Sequence, residues 1–195
     1  SKKYEPNIIP ILGTLTDTSE LKQKKEEINY LKKIFKKKVI TMLIGGSGKS
    51  SKIDEKDIKE YVEKFNNFSE KYEIVYCFSR RTPQSLKNII KLKAKKKCFF
   101  FPDKGFNPYW SLLNISSYIF VTSDSVSMVS DSLALGKRTY LIPVKKIKKK
   151  ILKFNNSLLE TGKVKLFQKD LESWAPKKSN ETKNISSELI KFLQI

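Results

Sequence analysis

The sequence contains no histidine. That removes the commonest general base near neutral pH and the commonest metal ligand. Cysteine is nearly absent as well: only Cys77 and Cys98 occur, each inside an apolar, strand-like run. Two thiols without histidine are too few for a zinc site, so they read as small core residues of a chain kept in a reducing, cytoplasmic setting. No metal site and no resident cofactor are expected. No run of about 18 apolar residues occurs, so no transmembrane helix is expected. The opening residues Ser1-Lys2-Lys3-Tyr4 hold no apolar h-region, and no signal peptide is expected. Position 1 is not methionine, as in a processed product or a fragment.

Arginine is the next scarcity: of 40 basic residues only Arg80, Arg81 and Arg138 are arginine. Against 20 acidic residues this leaves a formal charge of +20. Such a charge suits an anionic partner, whether nucleotide phosphates, nucleic acid or the cytoplasmic face of an anionic membrane. Equally, lysines spread through helices and turns can simply be a solvated surface of biased composition. The adjacent Arg80-Arg81 pair is the more informative feature.

Enough apolar residues are present, 39% of 195, for one domain with a real core. Five short apolar runs read as buried strands: Val39–Ile44, Glu73–Phe78, Cys98–Phe101, Tyr118–Thr122 and Thr139–Pro143. They lack alternation, as strands covered on both faces do. Helical patterns lie between them. Asp54–Phe68 puts Ile58, Tyr61, Val62, Phe65 and Phe68 on one face, with Asp54 as N-cap. Pro83–Leu92 has Thr82 as its expected cap, and Ser125–Leu135 ends at Gly136 as a C′ residue. Lys146–Leu159 and Glu181–Leu193 also read as helices. Strand-helix alternation at this spacing predicts an α/β fold, a Rossmann-like, mostly parallel sheet flanked by helices. Residues 1–38 read differently: an extended Asn7–Leu15, then a Lys/Glu-rich helix over Ser19–Phe35. The expected organisation is a lead-in and interdomain linker over 1–38, and a Rossmann-like domain with C-terminal helices over 39–195.

Ligands of open parallel sheets bind beyond the carboxyl ends of the strands, and four segments lie there. Gly45-Gly46-Ser47-Gly48-Lys49-Ser50 follows the first strand, where amides next to glycines can approach an anion closely. A P-loop needs glycine five residues before Gly48, and Leu43 stands there. A plain glycine-rich turn is the alternative. Ser79-Arg80-Arg81-Thr82 follows the second strand and could fork onto a phosphate, or be a surface pair beside a cap. Ser123-Asp124-Ser125-Val126-Ser127 leads into a helix N-terminus that favours an anion. Asp124 and Asp131 are seven apart, on one face if the helix runs straight. Asp131, a poor helix former in mid-helix, could accept ribose hydroxyls or merely face water. The stretch from Asp103 to Trp110, with Phe106, Asn107, Pro108 and Tyr109, could flank a base or anchor a short helix.

Taken in order, Leu43-Ile44-Gly45-Gly46-Ser47, Ser79-Arg80-Arg81-Thr82-Pro83, Asn107-Pro108-Tyr109, Val121 to Ser130 and Gly136-Lys137 resemble the mitochondrial fission ELM family. Its bacterial members carry a glycosyltransferase description. The resemblance runs from about Asn7 to the C-terminus. It implies a GT-B-like protein, of which this chain would be the C-terminal, donor-binding half. Val121–Gly136 is also similar in layout to the donor-site segment of a peptidoglycan glycosyltransferase. On that likeness Gly45, Gly46, Ser47, Ser79, Arg80, Arg81, Ser123, Asp124, Ser125 and Ser127 would border the donor diphosphate. Phe101, Phe106, Asn107 and Asp131 would lie by the nucleoside, Asp131 in place of a ribose-binding Glu one methylene longer. The catalytic residues stay unassigned, since such enzymes often carry the general base on an N-terminal acceptor domain. The expected partners are therefore a nucleotide sugar as substrate and that missing domain.

Three functions compete. The first is the donor half of an inverting, metal-independent glycosyltransferase, inactive as a fragment alone. The second is a non-catalytic fission adaptor that recruits a protein partner, as the resemblance implies for plant relatives. The third is a charge-driven binder of RNA or of an anionic membrane, peripheral at its cytoplasmic face.

Overall fold

The computed structural model describes residues 8–22, 24–46, 51–95 and 97–193. Its centre is a parallel sheet of six strands: β1 (Lys38–Ile44), β3 (Tyr72–Phe78), β4 (Phe99–Phe101), β5 (Ser116–Thr122), β6 (Arg138–Ile142) and β8 (Lys165–Leu166). Their order is β4-β3-β1-β5-β6-β8. A separate antiparallel pair joins β2 (Ser51–Lys52) to β7 (Lys146–Ile147). Strand order runs one way from β1 through β3 to β4 and the other way through β5 and β6. β1 and β5 therefore flank the switch point where crevices form in such sheets. Register brings the strand ends level, with Ile44 opposite Phe78 and Thr122 opposite Ile142.

The central strands β1, β3, β5 and β6 are largely buried on both sides, which is why their sequences do not alternate. On one face Ile40, Met42, Ile44, Ile74, Tyr76, Phe120 and Tyr140 pack under α2 (Glu55–Asn66) and α3 (Gln84–Lys93). In α2 the buried Ile58, Val62 and Phe65 recur at helical spacing. Asp54 caps it by accepting the Lys56 N–H at 2.9 Å, a contact of about 1 kcal/mol. On the other face Val39, Leu43, Val75, Cys77, Ile119, Val121 and Leu141 meet α1 (Lys25–Ile34), α4 (Tyr109–Ile115), α5 (Val126–Ala134) and α6 (Lys149–Glu160). The last helix is α7 (Glu181–Leu193).

Several boundaries depart from the sequence pattern. Thr82 is not a helix cap: Pro83 takes that position, and the Thr82 hydroxyl turns back to the Ile44 and Gly45 carbonyls. The helix expected from Lys146 begins at Lys149, because Lys146 and Ile147 pair with Lys52 and Ser51. The amphipathic stretch from Ser19 divides into a 3-10 turn, Ser19–Lys22, and α1. Leu31 of α1 and the following Phe35 are buried against the sheet, so this part of the lead-in packs onto the domain. Gly136 follows the α5 cap residue Leu135 with φ +65°, the expected C′ geometry.

Candidate functional site

The rim at the carboxyl ends of β1, β3 and β5 is built on two glycines. The Gly45 N–H donates to Thr122 Oγ1 at 2.8 Å, and the Gly46 N–H donates to Asp124 Oδ2 at 3.2 Å. A Cβ on Gly45 would sit 2.3 Å from that carboxylate oxygen. On Gly46 it would sit 2.4 Å from the Arg81 Cβ and 2.6 Å from the Arg81 carbonyl carbon. Both glycines are thus required by close packing, and both amides already serve protein acceptors. Ser47 and the rest of that turn, Gly48-Lys49-Ser50, lie outside the described residues.

The turn after β3 is fixed from the same side. Ser79 N–H donates to the Ile44 carbonyl at 2.9 Å, and the Thr82 hydroxyl is shared between the Ile44 and Gly45 carbonyls at 3.0 and 2.8 Å. Ser79 Oγ accepts the Arg81 N–H at 3.1 Å. The backbone is therefore pinned while the Arg80 and Arg81 side chains stay exposed. Among the described residues no carboxylate lies within ion-pair distance of either. From β5 the chain turns into α5 through Ser125, whose side chain makes no capping hydrogen bond. The first amides of α5 thus keep their positive end toward the rim.

These loops enclose one open cavity of about 760 Å³. Gly45, Gly46, Ser79, Arg80, Arg81, Asn107, Ser125, Ser127 and Asp131 line it, together with Lys87 of α3, Tyr109 of α4, Met128 of α5 and the Cys77 thiol. Arg80, Arg81, Lys87 and the α5 N-terminus make its mouth positive. Deeper in, Asp131 Oδ2 accepts the Tyr109 hydroxyl at 2.8 Å and Oδ1 accepts the Thr16 hydroxyl at 3.0 Å. Burial pushes the Asp131 carboxyl up, and the two hydrogen bonds only partly oppose it. Burial raises the Tyr109 hydroxyl well above its ordinary value, with the Asp131 charge adding to it. Burial pushes the Cys77 thiol up to about 12, so it is not a nucleophile near neutrality. Burial also raises Asp124, against hydrogen bonds from Thr122 and Gly46 and the charge of Arg81. Among the described residues there is no group of three potential metal ligands.

Not every candidate reaches this cavity. Ser123 is buried and structural: its Oγ accepts the Val144 N–H at 2.9 Å and its carbonyl accepts the Asn155 amide at 2.8 Å. Asp124 precedes the N-cap of α5 and turns to the glycines, so it shares no helical face with Asp131. Phe101 and Phe106 line a different groove, beside α1. Lys87 and Thr16 are not among the candidates read from sequence, whereas Tyr109 belongs to the stretch from Asp103 to Trp110 that could flank a base. Lys87 carries a weak signal, one helical turn beyond Pro83 on the helix that Arg80-Arg81 introduces. Thr16 carries none, because only the tertiary fold brings it to α5.

A sequence model of the family described as mitochondrial fission ELM1 matches residues 1–193. An uncharacterized protein of Rickettsia prowazekii (strain Madrid E) is 32% identical over 168 residues, 80% of this chain and 47% of that protein. The mitochondrial fission protein ELM1 of Arabidopsis thaliana is 33% identical over 109 residues, 53% of this chain and 26% of its own length. The chain thus spans about half the length of the first relative and about a quarter of the second. Among solved structures, the UDP-GlcNAc 2-epimerase of Methanocaldococcus jannaschii, in complex with UDP-GlcNAc and UDP, superposes with a TM-score of 0.50 at 16% identity. The match covers 89% of this chain and 50% of that one. At that identity it shows the fold, a Rossmann-like domain of the GT-B kind. No helix among the described residues is long and apolar enough to cross a membrane.

Proposed function

The chain belongs to the mitochondrial fission ELM1 family, and we propose that its rim cavity binds the diphosphate of a nucleotide sugar as the donor half of a GT-B-type glycosyltransferase. One observation carries this reading: Arg80, Arg81 and Lys87 meet the N-terminus of α5 around a single cavity at the sheet switch point. The diphosphate would sit among these cations and the Ser125 and Ser127 hydroxyls. The nucleoside would extend toward Asn107 and the remaining acceptor capacity of Asp131. An acceptor hydroxyl would displace the diphosphate directly at the sugar carbon, inverting it. The bond from that carbon to the phosphate oxygen breaks, and the leaving diphosphate takes up charge facing the arginines. The base that takes the acceptor proton would come from a further, N-terminal domain. With cations supplied by side chains, the step requires no metal.

The test is calorimetric titration of the 195-residue chain with UDP-, GDP- and CMP-sugars, alone and as Arg80→Ala. Binding of one sugar nucleotide that the substitution weakens supports the reading. No heat above background at millimolar ligand would sink it.

A second reading, a non-catalytic adaptor, has its own observation: Leu189, Ile190 and Leu193 stand exposed on α7. It expects Arg80→Ala and Asp131→Ala to leave the biological role intact.

A further inference from the structure

A second cavity, of about 650 Å³, lies on the α1 face of the sheet, next to the rim cavity: Phe101, Asp103 and Phe106 line it, while Pro102 and Asn107 line the other. Its floor is β4, whose alternate side chains Phe99 and Phe101 point to that face. Its walls are α1 and a tight turn in which Asp103 and Phe106 exchange backbone hydrogen bonds at 3.0 and 2.8 Å. Lys104 and Gly105 at the tip have φ +45° and +83°, which folds the Phe106 ring back toward β4. There it meets Phe101 and Tyr30 edge-on, at 5.9 and 6.3 Å between ring centroids. Tyr30 remains 55% exposed and Phe106 37%. Large rings held in place yet open to water are what a recognition surface offers.

Charge selects the occupant. The chain carries twice as many basic as acidic residues, 40 against 20, yet Glu26, Glu27 and Asp103 border this groove, and among the described residues that line it Lys104 is the one cation. Glu27 is engaged by Ser111 and Lys24. Glu26 and Asp103 are exposed on opposite walls. β4 is also an end strand of the sheet, bonded on its β3 side. An extended chain can therefore run alongside it and direct alternate side chains into the groove.

We propose that this groove binds an extended segment of a partner protein in which every second residue, the set that faces the groove, is in turn lysine or arginine and aliphatic. The aliphatic side chains would pack on Phe101, Phe106 and Tyr30, and the cations would sit beside Glu26 and Asp103. An ammonium or guanidinium over the ring faces gains further attraction. The site is independent of the rim cavity and of any nucleotide.

The probe is an acetylated, amidated Lys-Ser-Leu-Ser-Lys-Ser-Leu peptide, with Glu-Ser-Leu-Ser-Glu-Ser-Leu as its counterpart, followed by NMR of the whole chain at physiological ionic strength. The expected result is that the basic peptide shifts the Tyr30, Phe101 and Phe106 ring signals, and that Glu26→Lys with Asp103→Lys weakens binding at least tenfold. Both positions are exposed, and an unchanged circular dichroism spectrum shows that the double variant is folded. Equal binding of the two peptides, shifts confined to other surfaces, or an affinity indifferent to the charge reversal would each overturn the proposal. So would sedimentation showing a dimer that the same reversal dissociates, since a second copy would then fill the groove.

Discussion

A Cβ on Gly46 would lie 2.4 Å from the Cβ of Arg81. The turn after β1 and the turn after β3 are in backbone contact at that point, and no side chain fits between them. Gly46→Ala must push the Arg81 backbone away, and with it the hydrogen bonds that pin Ser79 and Thr82. Overpacking of this kind typically destabilises by about 1–3 kcal/mol. Urea unfolding should show a loss of that order with an unchanged slope, and wild-type stability would show that the two turns are free to separate.

Arg80 and Arg81 are exposed and Lys87 is half-buried; on the proposed function they act chiefly through the ligand, though the Arg81 charge also faces Asp124 and Lys87 lies over the Phe78 ring. Alanine at Arg80 should leave the unfolding midpoint unchanged, and alanine at Arg81 or Lys87 should shift it little. Each should weaken sugar-nucleotide binding by about tenfold or more, since a hydrogen bond to a charged group is worth roughly 1.5–3 kcal/mol. Affinity should also fall as salt rises. Calorimetry on the three variants checks this; affinities indistinguishable from wild type would remove the cations from the site.

Asp131 should shape the pH dependence of stability. Burial raises its folded-state pKa above the ordinary 3.8. A carboxyl raised in this way holds its proton more tightly folded than unfolded. Its stabilising contribution is therefore present below the ordinary value and is lost as pH rises through the raised one. Asp131→Asn does not titrate. The variant should thus gain on wild type as pH climbs from below 3.8 toward neutrality. Urea titrations across that range decide it, and a constant difference would refute the shift.

The strand-like segment before α1 is held by specific contacts. The Thr14 N–H donates to Ser130 Oγ at 3.1 Å, and Thr16 N–H donates to Thr182 Oγ1 at 2.7 Å. Gly13 makes this passage with φ +104°, and a Cβ there would meet Ser130 Oγ at 2.4 Å. Gly13→Ala combines strain and collision. Hydrogen exchange at Thr14 and Thr16 should quicken well before that of the β1 amides. Unchanged protection at both would show that the segment accommodates the methyl group.

Much of the architecture was legible in local pattern. Unalternating apolar runs announced strands covered on both faces, and the Ile58, Val62 and Phe65 spacing announced a helix, because burial periodicity is written residue by residue. The short β8 and the pairing of Ser51–Lys52 with Lys146–Ile147 were not, since two-residue strands carry no period and exist only through their partners.

The candidate site divides along the same line. That glycines, an arginine pair and a hydroxyl-rich helix start would gather at one rim followed from sequence alone, because parallel strands must end on the same side. Which groups face the cavity was decided only by the tertiary structure. The Gly45 and Gly46 amides donate to Thr122 and Asp124, Ser123 accepts from Val144 and Asn155, and Phe101 and Phe106 line a separate groove. Each outcome depends on a neighbour distant in the chain, and a distance across the fold has no local signature in the sequence.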